Sequence, residues 1–284
     1  MGGYVDLEKV FEKCFLCPGL CISKCPIYSI TRDRSTAPNI IGRSGYRLVK
    51  YGDMEIGRNL LECTGCMRCM RNCPIENLLP DAIRLGRRLI FGEGEHLKEK
   101  SSPSIGDKLH IYTPRDKDEK IIEVVKRYGY EVEWINTMED YIRYSKGIIE
   151  SYTFNKPFLT DDIEMLTNYE DYIGSLSNIY RRIMRNVETD FNYILHIPCR
   201  FDIVKDEVFK LLKDLLGEPI KIINECTGGG LLYPKYNLDY AKMILANNFK
   251  DIHNIVVTLC YHAREFLREN GIESYTIIDL IGGV

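Results

Sequence analysis

From residue 109 onward, short apolar runs alternate with longer stretches in which apolar residues recur every three or four positions. Short apolar runs bounded by Gly, Pro or charged residues are typical of buried strands, and the longer pattern is typical of amphipathic helices. The pattern predicts strands at 109–112, 130–135 and 147–151, and a helix at 119–128. This order of elements is typical of a parallel sheet covered by helices.

The last part of the chain repeats this order. It predicts strands at 193–197, 220–224 and 254–259, and helices at 207–216, 239–248 and 264–270. Two units of this kind imply an internal duplication. We therefore predict a first α/β repeat over residues 109–190 and a second over residues 191–284.

The N-terminal part predicts a different, helical domain. An amphipathic turn over the first thirteen residues places Leu7, Val10 and Phe11 on one face, and further helices are predicted at 56–62 and 81–91. Residues 98–108 are polar, contain Ser, Pro and Gly, and have no periodicity, which is typical of a linker. The predicted fold is α+β multidomain: a helical domain (1–100), a linker (101–108) and the duplicated α/β domain with mostly parallel sheets.

Composition narrows the class of protein. The chain has 284 residues, of which 45% are apolar, and no stretch reaches the roughly 18 apolar residues of a membrane span. The net charge of −3 gives no case for nucleic-acid binding. Glutamine is absent from the sequence, as in thermophile proteins depleted of labile amides. Eleven cysteines without a secretory signal peptide predict a cytoplasmic protein with metal chemistry.

Eight of the cysteines form two runs. Residues 63–74 read C-x2-C-x2-C-x3-C-P, the bacterial-ferredoxin spacing for [4Fe–4S] clusters. Residues 14–26 read the same with one extra residue at Pro18-Gly19, which a tight turn can absorb. Disulfides suit small secreted domains, and zinc ribbons use separate C-x2-C pairs. Two [4Fe–4S] clusters are therefore predicted in preference to disulfides or zinc.

The cysteine before each proline is expected to ligate the cluster of the other run. The predicted ligands of the first cluster are Cys14, Cys17, Cys21 and Cys73. The predicted ligands of the second cluster are Cys63, Cys66, Cys69 and Cys25. The long separation between the runs favours a helical ferredoxin. Residues 1–100 contain 16 Lys or Arg and 12 Asp or Glu, a balance of +4. This excess neutralises the anionic clusters or, alternatively, docks an acidic partner.

The other three cysteines each follow a predicted strand directly. Because the carboxyl ends of parallel strands meet at one edge of a sheet, Cys199, Cys226 and Cys260 are expected to converge there. The glycines at 228–230 would let the backbone approach a ligand closely. The alternative is that the three are buried cysteines acting as small apolar residues.

With these motifs the chain resembles the iron–sulfur subunits of heterodisulfide reductase, glycolate oxidase and anaerobic glycerol-3-phosphate dehydrogenase. Those subunits join a two-cluster helical ferredoxin to a duplicated domain with cysteine-rich "CCG" motifs. Such a motif consists of a cysteine, then Cys-Cys-Gly, then Cys-x-x-Cys. In the second repeat, Cys199 matches the first cysteine. Glu-Cys-Thr-Gly (225–228) takes the place of Cys-Cys-Gly, and Cys-Tyr-His-Ala (260–263) takes the place of Cys-x-x-Cys. The first repeat has no cysteine.

Only three of the five motif cysteines remain, so the resemblance implies at most one modified iron–sulfur cluster in the C-terminal domain. Its fourth ligand would be His262, His196 or Glu225. A zinc site formed by Cys199, Cys226, Cys260 and His262 is the competing interpretation, because three cysteines and a histidine are an ordinary zinc set.

The resemblance also implies a function. The chain would be a subunit of an oxidoreductase complex, relaying electrons from a flavoprotein dehydrogenase or reductase partner to a quinone, a disulfide or another acceptor. Substrate chemistry would lie on another chain, because no G-x-G-x-x-G fingerprint follows a strand. The partner could also hold the subunit peripherally at the inner membrane face. Two alternatives stay open: disulfide or persulfide chemistry at a C-terminal cluster, and a C-terminal domain that serves only as a docking scaffold.

Overall fold

The chain divides into two compact units that do not follow the predicted boundaries. The computed structural model describes residues 5–92, 97–101, 108–166, 169–184, 191–201, 204–230 and 232–283. Unit 1 comprises residues 1–98, 142–150 and 226–250. Unit 2 comprises residues 99–141, 151–225 and 251–284. The predicted ferredoxin-like residues, 5–92, thus share unit 1 with two later segments of the chain, 142–150 and 226–250.

Residues 5–92 are helical, as predicted. Their α-helices are α1 (Leu7–Phe15), α2 (Pro26–Thr31), α3 (Pro38–Tyr51), α4 (Met54–Gly57), α5 (Arg68–Arg71) and α6 (Leu79–Phe91). Three 3₁₀ helices lie between them, at Ile22–Lys24, Arg34–Thr36 and Arg58–Glu62. The predicted helix at 81–91 is confirmed. The one predicted at 56–62 is confirmed as a short α-helix that continues into a 3₁₀ helix.

Glycines on α3 allow α1 to pack closely against it. A Cβ atom at Gly45 would lie 2.5 Å from the ring of Phe11, and one at Gly42 would lie 2.6 Å from the Cβ of Cys14. Phe11 is fully buried in the apolar core of this unit. Interiors are packed densely enough that one extra methyl group at such a contact forces a shift. The two glycines therefore set the distance at which α3 holds the end of α1.

Two buried arginines of α6 connect the ferredoxin-like helices to residues 142–150. The Arg84 guanidinium donates to the main-chain carbonyl of Ile149 at 2.7 Å, and that of Arg87 donates to the carbonyl of Ser145 at 3.4 Å. Asn237, in the other late segment, donates to the carbonyl of Leu61 at 3.0 Å. These long-range bonds explain why both segments belong to unit 1.

The strands are β1 (Leu97–Ser101), β2 (Leu109–Thr113), β3 (Val132–Asn136), β4 (Ile149–Thr153), β5 (Phe158–Thr160), β6 (Tyr193–His196), β7 (Lys221–Ile223), β8 (Ile255–Thr258) and β9 (Ser274–Thr276). The later α-helices are α7 (Glu119–Arg127), α8 (Met138–Ser145), α9 (Tyr169–Ser175), α10 (Arg181–Met184), α11 (Lys205–Leu216), α12 (Tyr233–Tyr236), α13 (Leu238–Asn248), α14 (Tyr261–Glu269) and α15 (Ile277–Gly282). A π-helical turn, Leu176–Tyr180, joins α9 to α10. Among the helices in the described ranges, none is long and apolar enough to cross a membrane.

Unit 2 contains two parallel sheets, as predicted. One has the strand order β3-β2-β5 and the other has the order β7-β6-β8-β9, with every neighbouring pair parallel. In both sheets the first strand of the repeat is central, and the next two sheet-forming strands lie on either side of it. The buried strands β2 and β6 form the middle of each sheet.

The predicted third strand of the first repeat lies outside that sheet. β4 pairs with β1, and β5 takes the third place beside β2. β1 begins before the predicted linker and ends in it, at Ser101, and the Leu97 amide donates to the Ile148 carbonyl at 2.9 Å. A strand of Lys, Glu and Ser has no apolar alternation and a low intrinsic strand propensity, so its pairing partner decides its conformation. Residues 102–107 of the predicted linker lie outside the described residues.

Candidate iron–sulfur site

One cavity of unit 1 is lined by the four cysteines predicted for the first cluster. Cys14 lies in the last turn of α1, and Cys17 and Cys21 lie in the loop that follows. Cys73, from the second cysteine run, lines the same cavity. The Cys-Pro cysteine of the second run therefore reaches the cysteines of the first run.

A second cavity is lined by the other predicted set. Cys63, Cys66 and Cys69 lie there together with Cys25, which precedes the first residue of α2. The extended backbone of Cys25 (φ −77°, ψ 120°) separates it from the loop that holds the rest of its run. The structure thus brings together both four-cysteine sets, and their ligation of clusters remains a proposal.

The two cavities adjoin. Cys69 lines both of them. Burial raises the pKa of the Cys69 thiol well above its usual value, and Cys63 and Cys66 of one set and Cys21 of the other raise it further. One thiol is therefore close enough to interact with both groups of cysteines.

Hydrogen-bond donors point at cysteine sulfurs in both sites. The Gly19 amide donates to Cys17 Sγ at 3.4 Å, and the Gly65 amide donates to Cys63 Sγ at 3.3 Å. Both glycines have positive φ, +86° and +70°, a conformation that glycine adopts without steric cost. Such donors stabilise a thiolate and influence the potential of a cluster.

Burial raises the pKa values of several cysteine thiols at both sites. Burial raises the pKa of Cys14 to about 12, even though a hydrogen bond from Asn77 lowers it. Burial likewise raises the pKa values of Cys21 and Cys63 to about 11. Buried thiols of this kind ionise when a metal supplies positive charge. No two of the eleven cysteines, all of which are described, form a disulfide. The donor sets therefore suit [4Fe–4S] clusters.

Arg87 places positive charge at the second site. Its guanidinium is only 2% exposed and donates to the main-chain carbonyl of Cys63 at 2.5 Å. Burial raises the pKa of the Cys63 thiol, and the charge of Arg87 opposes that rise. This contact supports the neutralising interpretation of the basic excess. Arg87 belongs to the basic excess that the sequence predicts to neutralise the clusters. Asn77 was not identified from the sequence, because it acts on Cys14 across 63 positions of the chain.

Replacing Asn77 with leucine is expected to lower the midpoint potential of the first cluster only. Asn77 is buried and donates from Nδ2 to Cys14 Sγ at 3.2 Å and to the Val10 carbonyl at 3.0 Å. A donor to sulfur stabilises the negative charge added on reduction, so its loss makes reduction harder. Losing this buried hydrogen bond to the Val10 carbonyl should also cost roughly 0.5–1.5 kcal/mol of stability.

Redox titration followed by EPR measures this shift. Asn72→Leu is the matched control, because Asn72 is exposed and its Nδ2 donates to the carbonyl of Arg68 rather than to a sulfur. An unchanged first potential in Asn77→Leu, or an equal shift in both clusters, would contradict the prediction.

The residues of the predicted C-terminal site fall in different units. Cys226 belongs to unit 1, whereas Cys199, Cys260 and His262 belong to unit 2. The His262 ring stacks on Tyr141 with 3.5 Å between centroids, and its Nε2 lies 3.7 Å from Asp162 Oδ1. In the part of the chain that is described, no three His, Cys, Asp or Glu side chains are arranged to hold a single metal ion. The third site stays a prediction.

His196 is held neutral by its surroundings. Burial lowers its pKa to about 4. Its Nε2 lies 3.0 Å from the Glu225 carbonyl, to which it can only donate, so Nδ1 accepts the hydroxyl of Thr258 at 2.8 Å. Both ring nitrogens are therefore engaged within unit 2.

Unit 2 is expected to lose stability as the pH falls from about 6.5 towards 4. The unfolded chain binds a proton at His196 near pH 6.5, whereas the folded chain binds it only near pH 4. Stability from this residue is therefore complete above pH 6.5 and falls by about 3 kcal/mol down to pH 4. Denaturant unfolding followed by the fluorescence of Trp134, the only tryptophan, measures this change.

His196→Asn should flatten the pH dependence over this range. His253→Asn, at an exposed position, is the control and should keep the wild-type slope. Equal slopes for wild type and His196→Asn would contradict the assignment of a neutral buried histidine.

Comparison with protein-family models gives a match to part of the chain. A family model described as a 4Fe-4S dicluster domain matches residues 10–77, a range that contains all eight cysteines of the two runs. Comparisons with curated proteins and with solved structures give no match. The N-terminal region is thus similar to dicluster ferredoxin domains, which supports [4Fe–4S] clusters and an electron-transfer role.

Proposed function

We propose that this protein is the iron–sulfur electron-transfer subunit of an oxidoreductase complex. It relays electrons from a flavoprotein dehydrogenase partner to a quinone, a disulfide or another acceptor. The first cluster is held by Cys14, Cys17, Cys21 and Cys73. The second cluster is held by Cys25, Cys63, Cys66 and Cys69. When bound, each [4Fe–4S] cluster accepts and donates a single electron.

The observation that carries this proposal is the position of Cys69 on both cavities. Two redox centres exchange electrons efficiently only when they lie close together, and one cysteine that borders both sites requires them to adjoin. The chain's residues then have three tasks. They hold the sites at a fixed separation, exclude water from the second, and set the potentials through donors such as Asn77 and charges such as Arg87.

The first site is the one that we assign to exchange with the flavoprotein. Its cavity is bordered by Leu16, Leu20 and Ile75, which are 89%, 62% and 56% exposed. Large apolar side chains exposed together at a redox site are typical of a partner surface. The second site is lined by buried side chains such as Ile27, Ile41 and Ile83. Electrons would therefore enter or leave the protein at the first cluster.

Anaerobic iron, sulfide and zinc analysis with EPR of the reduced protein tests the proposal. About eight irons per chain and a spectrum with magnetic interaction between two clusters are expected, since each cluster holds four irons and the sites adjoin. About four irons, or two clusters without interaction, would overturn the relay. About one zinc in addition to the iron would favour the zinc interpretation of the C-terminal cysteines.

A further inference from the structure

A fifth cysteine lies beside the second cluster site. Cys226 is only 5% exposed, and its thiol donates to Thr64 Oγ1 at 3.9 Å. Thr64 lines the second cavity and directly follows Cys63 in the chain. Cys226 is also among the groups that, after burial, raise the pKa of Cys63. All of these residues belong to unit 1. The structure therefore places the Cys226 sulfur next to a predicted ligand of the second cluster.

The backbone around Cys226 matches that of Cys63, a predicted ligand. The Gly228 amide donates to Cys226 Sγ at 3.3 Å, as the Gly65 amide does to Cys63 at the same distance. Gly228 has a φ of +86°, and a Cβ atom there would lie 2.8 Å from the Ala241 carbonyl oxygen. Only glycine suits this position. A glycine amide two residues further along the chain therefore donates to Cys226, as another does to Cys63.

A buried hydroxyl of the same unit has no hydrogen-bond partner in the part of the chain that the structure describes. Tyr233 is 0% exposed, and its Oη has no hydrogen-bond partner among the described residues. Burial raises its pKa, and the charges of Glu62, Cys63, Cys25 and Cys226 raise it further. A buried donor left unpaired costs roughly 1–3 kcal/mol, and a thiolate or cluster sulfur beside it would remove that cost.

We propose that Cys226 is a fifth cysteine position of the second cluster site, and that its thiolate takes the place of Cys63 on iron when the Cys63 thiolate is lost. This inference rests on the proposed assignment of the second cluster. The exchange involves no change of oxidation state. Cys226 releases its thiol proton as its sulfur binds iron, and the Cys63 sulfur takes up a proton as its bond to iron breaks. The second site would thereby keep its cluster through damage to one ligand.

Iron content of four cysteine variants tests the proposal. Cys63→Ala should retain about eight irons, whereas Cys63→Ala/Cys226→Ala should retain about four, because each cluster holds four. Cys17→Ala is the matched control, since Cys17 also accepts from a glycine amide and Cys226 contacts Thr64 of the other site. It should fall to about four irons. A Cys63→Ala protein that retains about four irons, with or without Cys226, would overturn the proposal.

A second measurement does not depend on the folding of Cys63→Ala. Each protein is oxidised with ferricyanide and mixed with an iron chelator, and the release of iron is followed optically. Cys226→Ala should release half of its iron several-fold faster than wild type, and Met243→Ala, at an exposed position of the same unit, should match wild type. If Cys63→Ala does not fold, equal release rates for Cys226→Ala and wild type would overturn the proposal. Wild-type protein with about four irons would instead refute the two-cluster function itself.

Discussion

Replacing Arg87 with methionine is expected to have the largest effect of any change outside the cysteines. The guanidinium is 2% exposed and donates to the carbonyls of Leu60 at 3.1 Å, Cys63 at 2.5 Å and Ser145 at 3.4 Å. Methionine fills much of the same volume but leaves these buried acceptors unsatisfied. At roughly 1–3 kcal/mol for each acceptor, the loss should reach about 3–5 kcal/mol.

The same substitution should weaken the second cluster in particular. Arg87 counteracts the rise in the pKa of Cys63 caused by burial, so its removal makes the thiolate less favourable. It also removes positive charge from a site that gains an electron on reduction, which lowers the potential. Iron analysis and redox titration should show a depleted or harder-to-reduce second cluster, with the first cluster close to wild type.

Two further variants separate charge from hydrogen bonding at Arg87. Arg87→Lys keeps the charge but loses the forked donor geometry, so it should recover part of the potential and little of the stability. Arg88→Met, at the half-buried neighbouring position, is the matched control. Wild-type stability and iron content in Arg87→Met would show that Arg87 holds neither the fold nor the cluster.

Replacing either cysteine that precedes a proline should remove the cluster held mainly by the other cysteine run. Cys25→Ala is expected to lose the second cluster, and Cys73→Ala the first, each leaving about four irons. The reason is the placement of Cys25 with Cys63 and of Cys73 with Cys14. Cys226 is placed beside Cys63, so we do not expect it to rescue Cys25→Ala.

The Asn77→Leu change identifies which cluster remains. In a Cys25→Ala background the surviving cluster should respond to Asn77→Leu with a lower potential, because Asn77 donates to Cys14. In a Cys73→Ala background the surviving cluster should not respond. The opposite pattern would mean that each cluster is held by four cysteines of a single run.

The sequence predicts which cysteines lie together at each cavity, because cysteine spacing is a local property. The two runs fix which thiols can share a cluster, and the caps fix where helices end. The pattern predicts a helix at 81–91, for example, and α6 ends at Phe91, where Gly92 with a φ of +60° caps the last turn. The parallel sheets were likewise predicted, because buried strands are uniformly apolar.

The sequence does not reveal which distant segments complete the ferredoxin-like unit. β1 is polar, so no apolar pattern predicts it, and its pairing with β4 displaces the expected third strand. Cys226 follows a strand in the same way as Cys199 and Cys260, so the order of the strands predicts that all three meet at one edge of the sheet. Its contact with Thr64 spans 162 positions of the chain. Contacts of that range depend on tertiary packing, which a linear pattern does not encode.

The membership of residues 226–250 in unit 1 has a consequence for biosynthesis. Ribosomes add roughly 5–20 residues per second, and domains tend to fold in the order in which they emerge. The eight cysteines of the two runs are made early, yet the segment that contacts Thr64 and Leu61 follows on the order of ten seconds later. During that period of translation, the eight cysteines are complete but the second site lacks its contact with Cys226.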